Sequence, residues 1–334
     1  MKPLISLAAK GLLAGSILLS GAAGAADIEM KASHQWPGGK GDIRDEMVQM
    51  IARHMADAGT GVNITVYPGK SLYKPKEQWA PLTKGKLDIT AFPLAYAGGK
   101  HPEFNLTLMP GLVKNHDHAQ RLNKSEFMKK IKDIMAENGV MVLADTWLAG
   151  GIVSKKECIV EPKDAQGMKI RAAGKAFEQM MAAAGASITS MPSSEIYTGL
   201  QTGVLDGAVT SSSSLVSYRI YEQVACLTAP GSNALWVMYE PILMSKMSFD
   251  KLDKNQQKEL LKAAEEAEKF ASKASKEADT KLVDAYKKAG VKVVEMTPEQ
   301  AAMWRKVADE SSYKLFAEKV KGGKELLDMA LSVE

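Results

Sequence analysis

A positively charged side chain follows a short predicted strand near the middle of the chain. Residues 167–174 read GMKIRAAG. The glycine turn and the alternation that follows it predict a strand ending at Arg171, ahead of a helix rich in alanine and methionine. A guanidinium offers a rigid fork of N–H donors that matches a carboxylate. Arg171 is therefore a candidate anchor for an anionic ligand.

A run of hydroxyl side chains, residues 211–214, is the second candidate for chemistry. A serine nucleophile needs a neighbouring base, and all five histidines precede this run in the sequence. Two interpretations stay open: a nucleophile of a hydrolase, or a turn whose hydroxyls cap free N–H groups where a helix starts. No nucleophile-elbow or P-loop motif occurs. We expect no catalytic residue, no metal site and no cofactor.

The predicted elements that must position these side chains alternate between strands and helices. The segments DIEMKAS, VNITVYP and LDITAFP predict three strands with helices between them, and a second alternating run extends to LDGAVTS. A chain of 334 residues favours two lobes over one core. Residues 252 to about 290 contain no proline and only a terminal glycine, which predicts a helix of about 55 Å that reaches across both lobes.

The N-terminal residues and the overall charge indicate where the protein is located and which partners are not expected. Residues 1–26 combine Lys2 and Lys10 with a short apolar run and small residues, the pattern of a secretory signal peptide cleaved near Ala26. We therefore expect a periplasmic protein that is not embedded in the membrane. The formal net charge is +4 with mixed signs and no basic stripe, so nucleic acid is not an expected partner. Cys158 and Cys226 could form a disulfide, which the sequence leaves open.

Two motifs around Arg171 carry a family resemblance. EPKDAQGMKIRAAG and MPSSEIYTGLQTGVLDGA resemble the extracytoplasmic solute-binding subunits of TRAP transporters, the DctP-type family. YPGKSLYKPKEQWAPLTKGKLDITAFP and the long helix are also similar to that family. The matching positions of the two motifs are Pro162, Asp164, Gly167, Lys169, Arg171, Met191, Pro192, Glu195, Tyr197, Leu200, Gln201, Gly203, Asp206 and Gly207.

The resemblance implies an α/β, two-lobed periplasmic-binding-protein fold, each lobe a sheet covered by helices, with a long helix spanning both lobes. Lobe I would hold residues 27–147 and about 236–270, and lobe II residues 148–235 and about 271–334. It also implies that Arg171 binds the ligand carboxylate, that the lobes close on the ligand, and that ion-gradient-driven TRAP permease subunits receive it. We expect a monomer and no enzyme. A protein that presents its ligand to a sensor kinase is the remaining alternative.

Two departures from the family pattern restrict the chemical class of the expected ligand. Many relatives carry a second arginine shortly after the strand that here ends at Trp147, and an asparagine where this chain has Thr210. Both changes argue against a sugar acid or a dicarboxylate with many polar groups. We therefore expect Arg171 to be the only arginine of the site.

Aromatic and hydroxyl side chains follow several predicted strands, where sites of open α/β sheets gather. They favour a small monocarboxylate with an apolar or aromatic body, or a 2-oxo or 2-hydroxy acid. Besides Arg171, the candidate ligand-binding residues are His34, Trp36, Tyr73, Phe92, Tyr96, Trp147, Thr210, Ser211 and Trp236.

Overall fold

The computed structural model describes residues 27–334. The predicted signal peptide and its cleavage position near Ala26 lie outside the described residues. Within residues 27–334, no helix has both the length and the apolar character needed to cross a bilayer.

Twelve strands are present in the described part of the chain. They are β1 Ile28–Ser33, β2 Val62–Tyr67, β3 Ile89–Ala91, β4 Val140–Ala144, β5 Trp147–Ser154, β6 Lys169–Arg171, β7 Ser187–Thr189, β8 Gly207–Ser211, β9 Cys226–Ala229, β10 Trp236–Tyr239, β11 Ile242–Ser245 and β12 Lys292–Glu295.

Twelve α-helices accompany these strands between residues 27 and 334. They are α1 Ile43–Asp57, α2 Trp79–Thr83, α3 His116–Leu122, α4 Glu126–Glu137, α5 Gly174–Ala183, α6 Ile196–Gln201, α7 Ser212–Ser217, α8 Lys246–Phe249, α9 Lys254–Lys288, α10 Pro298–Ala308, α11 Lys314–Lys319 and α12 Gly323–Leu331. A π-helical turn, Asp309–Tyr313, joins α10 to α11. Short 3-10 helices are Pro75–Glu77, Leu94–Ala97, Pro102–Leu108, Pro162–Ala165, Ser193–Glu195, Ile220–Glu222 and Gly231–Asn233.

The strands form two separate sheets, one in each lobe. The first has the order β2-β1-β3-β11-β4, and the second runs β12-β9-β5-β8-β6-β7 with β10 paired to β5. β1, β2 and β3 are parallel in the first sheet, as are β6, β7 and β8 in the second. The carboxyl ends of neighbouring parallel strands meet at one sheet edge, and this is where a ligand site is expected. The two-lobed α/β prediction is confirmed.

Three connections between the lobes come before β12, and a fourth follows α10, where the turn Asp309–Tyr313 leads from the second lobe to α11 on the first. The chain crosses between β4 and β5 and returns between β10 and β11, and Glu240 N donates to Thr146 O at 2.9 Å where the crossings meet. The third connection is α9, whose 35 residues contact α1 on the first lobe and α7 and β12 on the second. The predicted helix across both lobes is therefore confirmed.

Small buried side chains allow α9 to lie close to both lobes. Its inner face carries Ala263, Ala267, Ala271 and Ala278, spaced four or seven residues apart so that they share one side of the helix. Asp253 caps the helix by accepting from Gln256 N at 2.8 Å, and Gln256 Oε1 accepts from Asp253 N at 3.0 Å. The small buried side chains and the N-terminal cap together explain why α9 packs against both lobes.

The C-terminal helices differ from the sequence-based domain division. Phe316 of α11 and Leu326 of α12 share a core with Phe127 of α4, which belongs to the first lobe. The sequence placed residues of about 271–334 in lobe II, and the packing corrects this for α11 and α12. Their apolar faces complete the core beside α4, a contact that no periodic pattern encodes.

One disulfide ties the second lobe together. Cys158 and Cys226 are bonded, with Cα atoms 5.1 Å apart and a sequence separation of 68. The bond joins the segment after β5 to the start of β9. This answers the question that the sequence left open.

Replacing Cys158 and Cys226 together with alanine should lower the free energy of unfolding by about 2–4 kcal/mol, because the unfolded chain regains the freedom that the cross-link removes. Urea unfolding in a non-reducing buffer measures the change. A reductant should destabilise the wild type to the same extent and leave the double variant unaffected. Identical unfolding midpoints for wild type and double variant would contradict the prediction.

Candidate ligand-binding site

One hydroxyl group joins the two lobes at the centre of the site. Tyr96 lies in the 3-10 helix after β3, and its oxygen accepts from Arg171 Nη2 and from Ser193 N, each at 3.1 Å. Both donors belong to the second lobe. Gln35, which follows β1, brings its amide to 3.5 Å from the same oxygen. Tyr96 therefore couples the strand ends of the first lobe to Arg171.

Arg171 is held by neutral groups and keeps two donors free. Its Nε donates to Met191 O at 2.9 Å and its Nη1 to Val209 O at 2.7 Å, besides the Nη2 contact with Tyr96. A guanidinium carries five N–H groups, so one donor remains on each Nη atom. Donors on both Nη atoms allow an arginine to hold a carboxylate by both of its oxygens.

The charge of Arg171 is not neutralised by a carboxylate within ion-pair distance among residues 27–334. The residue is nevertheless only 1% exposed. Burying an uncompensated charge is costly, and an anion that accepts the two free donors would offset that cost. Burial and charge therefore both favour an anionic partner at this position.

The local sequence explains why Arg171 reaches this place. β6 is three residues long and parallel to β8, with Ile170 paired to Gly207 and Arg171 to Ala208. Ile170 points into the core of the second lobe, and the strand stops at Arg171 because Gly174 then adopts a φ of +73° to start α5. The side chain thus emerges at the carboxyl edge of the sheet.

A second buried arginine lies at the junction of the lobes. Arg44 is completely buried in the first turn of α1, and its Nε and Nη2 bind Asp42 at 2.8 and 2.7 Å. It also binds Glu240 on the returning connection between the lobes. From the second lobe, Ser211 accepts at 2.9 Å and Ser214 at 3.1 Å.

All five donors of Arg44 are used within the protein, which distinguishes it from Arg171. Its guanidinium also stacks over the Trp36 ring at 3.9 Å. Burial lowers the pKa of Arg44, but Asp42 and Glu240 raise it by more. Burial raises the pKa of Glu240, and Arg44 opposes that increase. Arg44 is thus a structural cation with no donor left for a ligand.

One cavity borders Tyr96 and Met191, two residues whose oxygens hold Arg171. It has a volume of about 620 Å³ and lies between the lobes and α11. Ala172, Phe316 and Val320 contribute apolar walls. Three exposed lysines also line it, namely Lys76, Lys175 and Lys319. Arg171 does not itself line this cavity, but its contacts Tyr96 and Met191 do. Apolar walls with lysines among them suit an organic anion.

Comparison with known proteins identifies the family. Residues 38–319 match the family model DctP, described as bacterial extracellular solute-binding protein, family 7. The chain belongs to this DctP family. A solute-binding protein of Albidiferax ferrireducens is 38% identical over 97% of both chains. The C4-dicarboxylate-binding periplasmic protein DctP of Rhodobacter capsulatus is 30% identical over 93% of this chain and 94% of that protein.

A solved structure extends the comparison. A TRAP periplasmic solute binding protein from Rhodoferax ferrireducens, crystallised with bound malonate, has a TM-score of 0.88 and 39% sequence identity. The match covers 91% of this chain and 98% of that chain. The resemblance read from the two sequence motifs to the DctP family is therefore confirmed.

Several candidate residues of this DctP-family chain do meet at the lobe junction. Tyr96 binds Arg171, Trp36 donates to Ser214 Oγ at 3.2 Å, and Ser211 binds Arg44. Thr210 lies in β8 beside Val209, whose carbonyl holds Arg171. His34 is fully buried, with Nε2 3.1 Å from Asp45 Oδ1.

Three predicted aromatic residues pack in cores instead of against Arg171. Phe92 stacks near Trp79 in the first lobe. Trp147 contacts Tyr239 and donates to Asn123 Oδ1 at 2.7 Å. Trp236 belongs to the core around α5 and α10, with Phe177 and Trp304. A strand end predicts the sheet edge on which a residue lies but not the face toward which its side chain points. Tyr73 is half-buried against the same core as Phe92.

The serine run is committed to structural hydrogen bonds. Ser211 caps α7 and binds Arg44, and Ser212 donates to Asp279 Oδ1 at 2.6 Å. Ser213 accepts from Ile43 N at 3.3 Å, and Ser214 accepts from Trp36 and Arg44. These contacts join α7 to the first lobe and to α9, which agrees with the capped-turn interpretation.

The sequence analysis missed Arg44 and Gln35, and the expectation that Arg171 is the only arginine of the ligand site stays a prediction. A signal for Arg44 was present: a cation in the first turn of a helix opposes the helix dipole, which favours acidic residues there. Such a residue needs a compensating partner, here Asp42 and Glu240. Gln35 carried no comparable signal.

Replacing Arg44 with methionine should lower the free energy of unfolding by about 3–5 kcal/mol, because buried carboxylates lose their cation. Without Arg44 the pKa of Glu240 rises further, so its ionised form is disfavoured in the fold. The loss should therefore grow as pH rises above about 4.3, the pKa of an unfolded glutamate, and shrink in acid.

Urea unfolding at about pH 5 and pH 8 measures this difference across the range where a raised glutamate pKa falls. The double variant Arg44→Met with Glu240→Gln is the control, and it should lose most of the pH dependence. An equal loss at both pH values in the single variant would contradict the prediction.

Proposed function

We propose that this protein captures a small organic carboxylate in the periplasm and delivers it to the membrane permease of a TRAP transporter. The ligand carboxylate accepts from the two free donors of Arg171, and the lobes close around it. The observation that carries this proposal is the buried Arg171 guanidinium, which has neutral partners and one unused donor on each Nη atom.

Lobe closure follows from the position of Tyr96. Its hydroxyl comes from the first lobe and accepts from Arg171 and Ser193 of the second. A ligand on Arg171 lowers the cost of keeping that charge buried, so it binds the closed form more tightly than the open form. Differential affinity of this kind shifts the population toward closure. Arg44 of the first lobe binds Ser211 and Ser214 of the second, and these contacts hold the two lobes together near the hinge.

The apolar cavity beside Tyr96 supports a ligand with one carboxylate and an apolar or aromatic body, or a 2-oxo or 2-hydroxy acid. Ala172, Phe316 and Val320 would contact the body, and the lysines that line the cavity would attract the anion. The protein from Rhodoferax ferrireducens was crystallised with malonate, and the Rhodobacter capsulatus relative is named for C4-dicarboxylates. Both ligands share the carboxylate that we assign to Arg171.

Arg171→Ala should weaken binding of the acid by about 2–5 kcal/mol, which is about 30-fold to several thousand-fold in Kd. Isothermal titration calorimetry with the acid that co-purifies with the protein measures the change. Arg219→Ala is the matched control, since the Arg219 side chain is 68% exposed and pairs with Glu222. Unchanged affinity in folded Arg171→Ala protein would remove the proposed anchor.

A thermal-shift screen of organic acids should raise the melting temperature with aromatic, 2-oxo or 2-hydroxy monocarboxylates, because a ligand that binds only the folded form stabilises it. Amines of matched size and polyhydroxylated sugar acids serve as comparison compounds. Stabilisation by only the amines or sugar acids would contradict the proposed ligand class.

A further inference from the structure

Gln35 places a buried amide beside the oxygen that binds Arg171. It is 2% exposed and follows β1 directly. Its backbone carbonyl accepts from the Tyr218 hydroxyl at 2.8 Å. Burial raises the pKa of Tyr218, so that hydroxyl keeps the proton it donates. The backbone of Gln35 is thus fixed, and its side chain is directed at Tyr96.

Hydrogen-bond accounting at Tyr96 determines how the Gln35 amide is oriented. The Tyr96 oxygen already accepts from Arg171 Nη2 and Ser193 N, which fills both of its lone pairs. A third N–H, from Gln35 Nε2 at 3.5 Å, has no acceptor left, while Gln35 Oε1 is buried without a partner. Half a turn of the amide exchanges the two atoms, and Tyr96 O–H then donates to Oε1.

In this orientation the Gln35 NH₂ group is left as a buried donor, and Tyr96 is the contact that Gln35 and Arg171 share. Ser194, which follows the Ser193 that binds Tyr96, also has a buried hydroxyl without a partner. Buried donors without acceptors are costly, so the site gains most from a ligand that presents several acceptor oxygens.

We propose that Gln35 is a specificity-determining residue, which donates to a second acceptor oxygen of the ligand close to the carboxylate on Arg171. This inference rests on the proposed function. It selects 2-oxo acids, 2-hydroxy acids and short dicarboxylates over plain carboxylic acids. It also rejects 2-amino acids, since an ammonium group would meet only donors.

Three matched acids test the proposal by calorimetry: 3-phenylpropanoate, 3-phenyllactate and phenylpyruvate, with propanoate, lactate and pyruvate as the small set. Wild type should bind the oxygenated members of a set about tenfold more tightly than the parent acid, the effect of one good hydrogen bond. Gln35→Met keeps the shape but has no donor, so it should abolish this preference while still binding the parent acid.

Gln35→Glu separates a donor role from an acceptor role. Glutamate cannot donate when ionised and repels a carboxylate, so binding of every acid should fall below that of Gln35→Met. Gln201→Met, at an exposed glutamine that ends α6, is the control and should bind as wild type does. Circular dichroism and melting temperature establish that each variant is folded.

The proposal is overturned if Gln35→Met keeps the preference, if wild type has none in either set, or if Gln35→Glu binds lactate or phenyllactate as wild type does. These failures are distinct from failure of the proposed function. Loss of binding in Arg171→Ala together with an unaltered preference in Gln35→Met leaves Arg171 as the anchor and removes Gln35 from ligand selection.

Discussion

A buried positive charge without an ion-pair partner is the constraint on which the rest of this structure depends. Arg171 is held by two backbone carbonyls and one phenol, which fix its plane, and among residues 27–334 no carboxylate lies within ion-pair distance of it. Burial raises the pKa of Glu240, and Arg171 opposes that increase, but from beyond ion-pair distance. Neutral dipoles reduce the desolvation cost of a cation only in part. The surroundings of Arg171 are therefore arranged for an anion, and the lobes that supply Tyr96 and Met191 must come together for the arrangement to exist.

The two buried arginines, Arg44 and Arg171, have different roles. All five donors of Arg44 bind Asp42, Glu240, Ser211 or Ser214, so Arg44 links the hinge connection and the second lobe to α1. Arg171 keeps two donors for a ligand. Arg44, whose donors are all bound, fixes the relative position of the segments at the hinge. Arg171, which keeps free donors, is the group through which a bound ligand would favour the closed form. Both residues are arginines, so the difference in role comes from the atoms that each one contacts.

The sequence predicted those parts of the molecule that depend on local patterns. Arg171 was found because the strand and the family motifs around it are contiguous, and α9 because proline is absent over its length and its apolar positions recur. Phe92 follows β3 as predicted, but Trp147 begins β5 instead of ending the strand before it, and Trp236 begins β10. All three face cores, since a fully buried strand carries no alternating signal that would show the direction of a side chain. Gln35 contacts Tyr96, 61 residues away, and Arg44 binds Ser211, 167 residues away, besides its near neighbour Asp42. No local pattern encodes the distant contacts.

The most direct test of the central claim is a crystal structure of the wild-type protein with its co-purified organic acid between the lobes. The account predicts a carboxylate whose two oxygens accept from Nη1 and Nη2 of Arg171, with the contacts to Met191 O and Val209 O retained. A bound acid whose carboxylate lies instead on the lysines of the cavity, Lys76, Lys175 and Lys319, with no contact to Arg171, would contradict it.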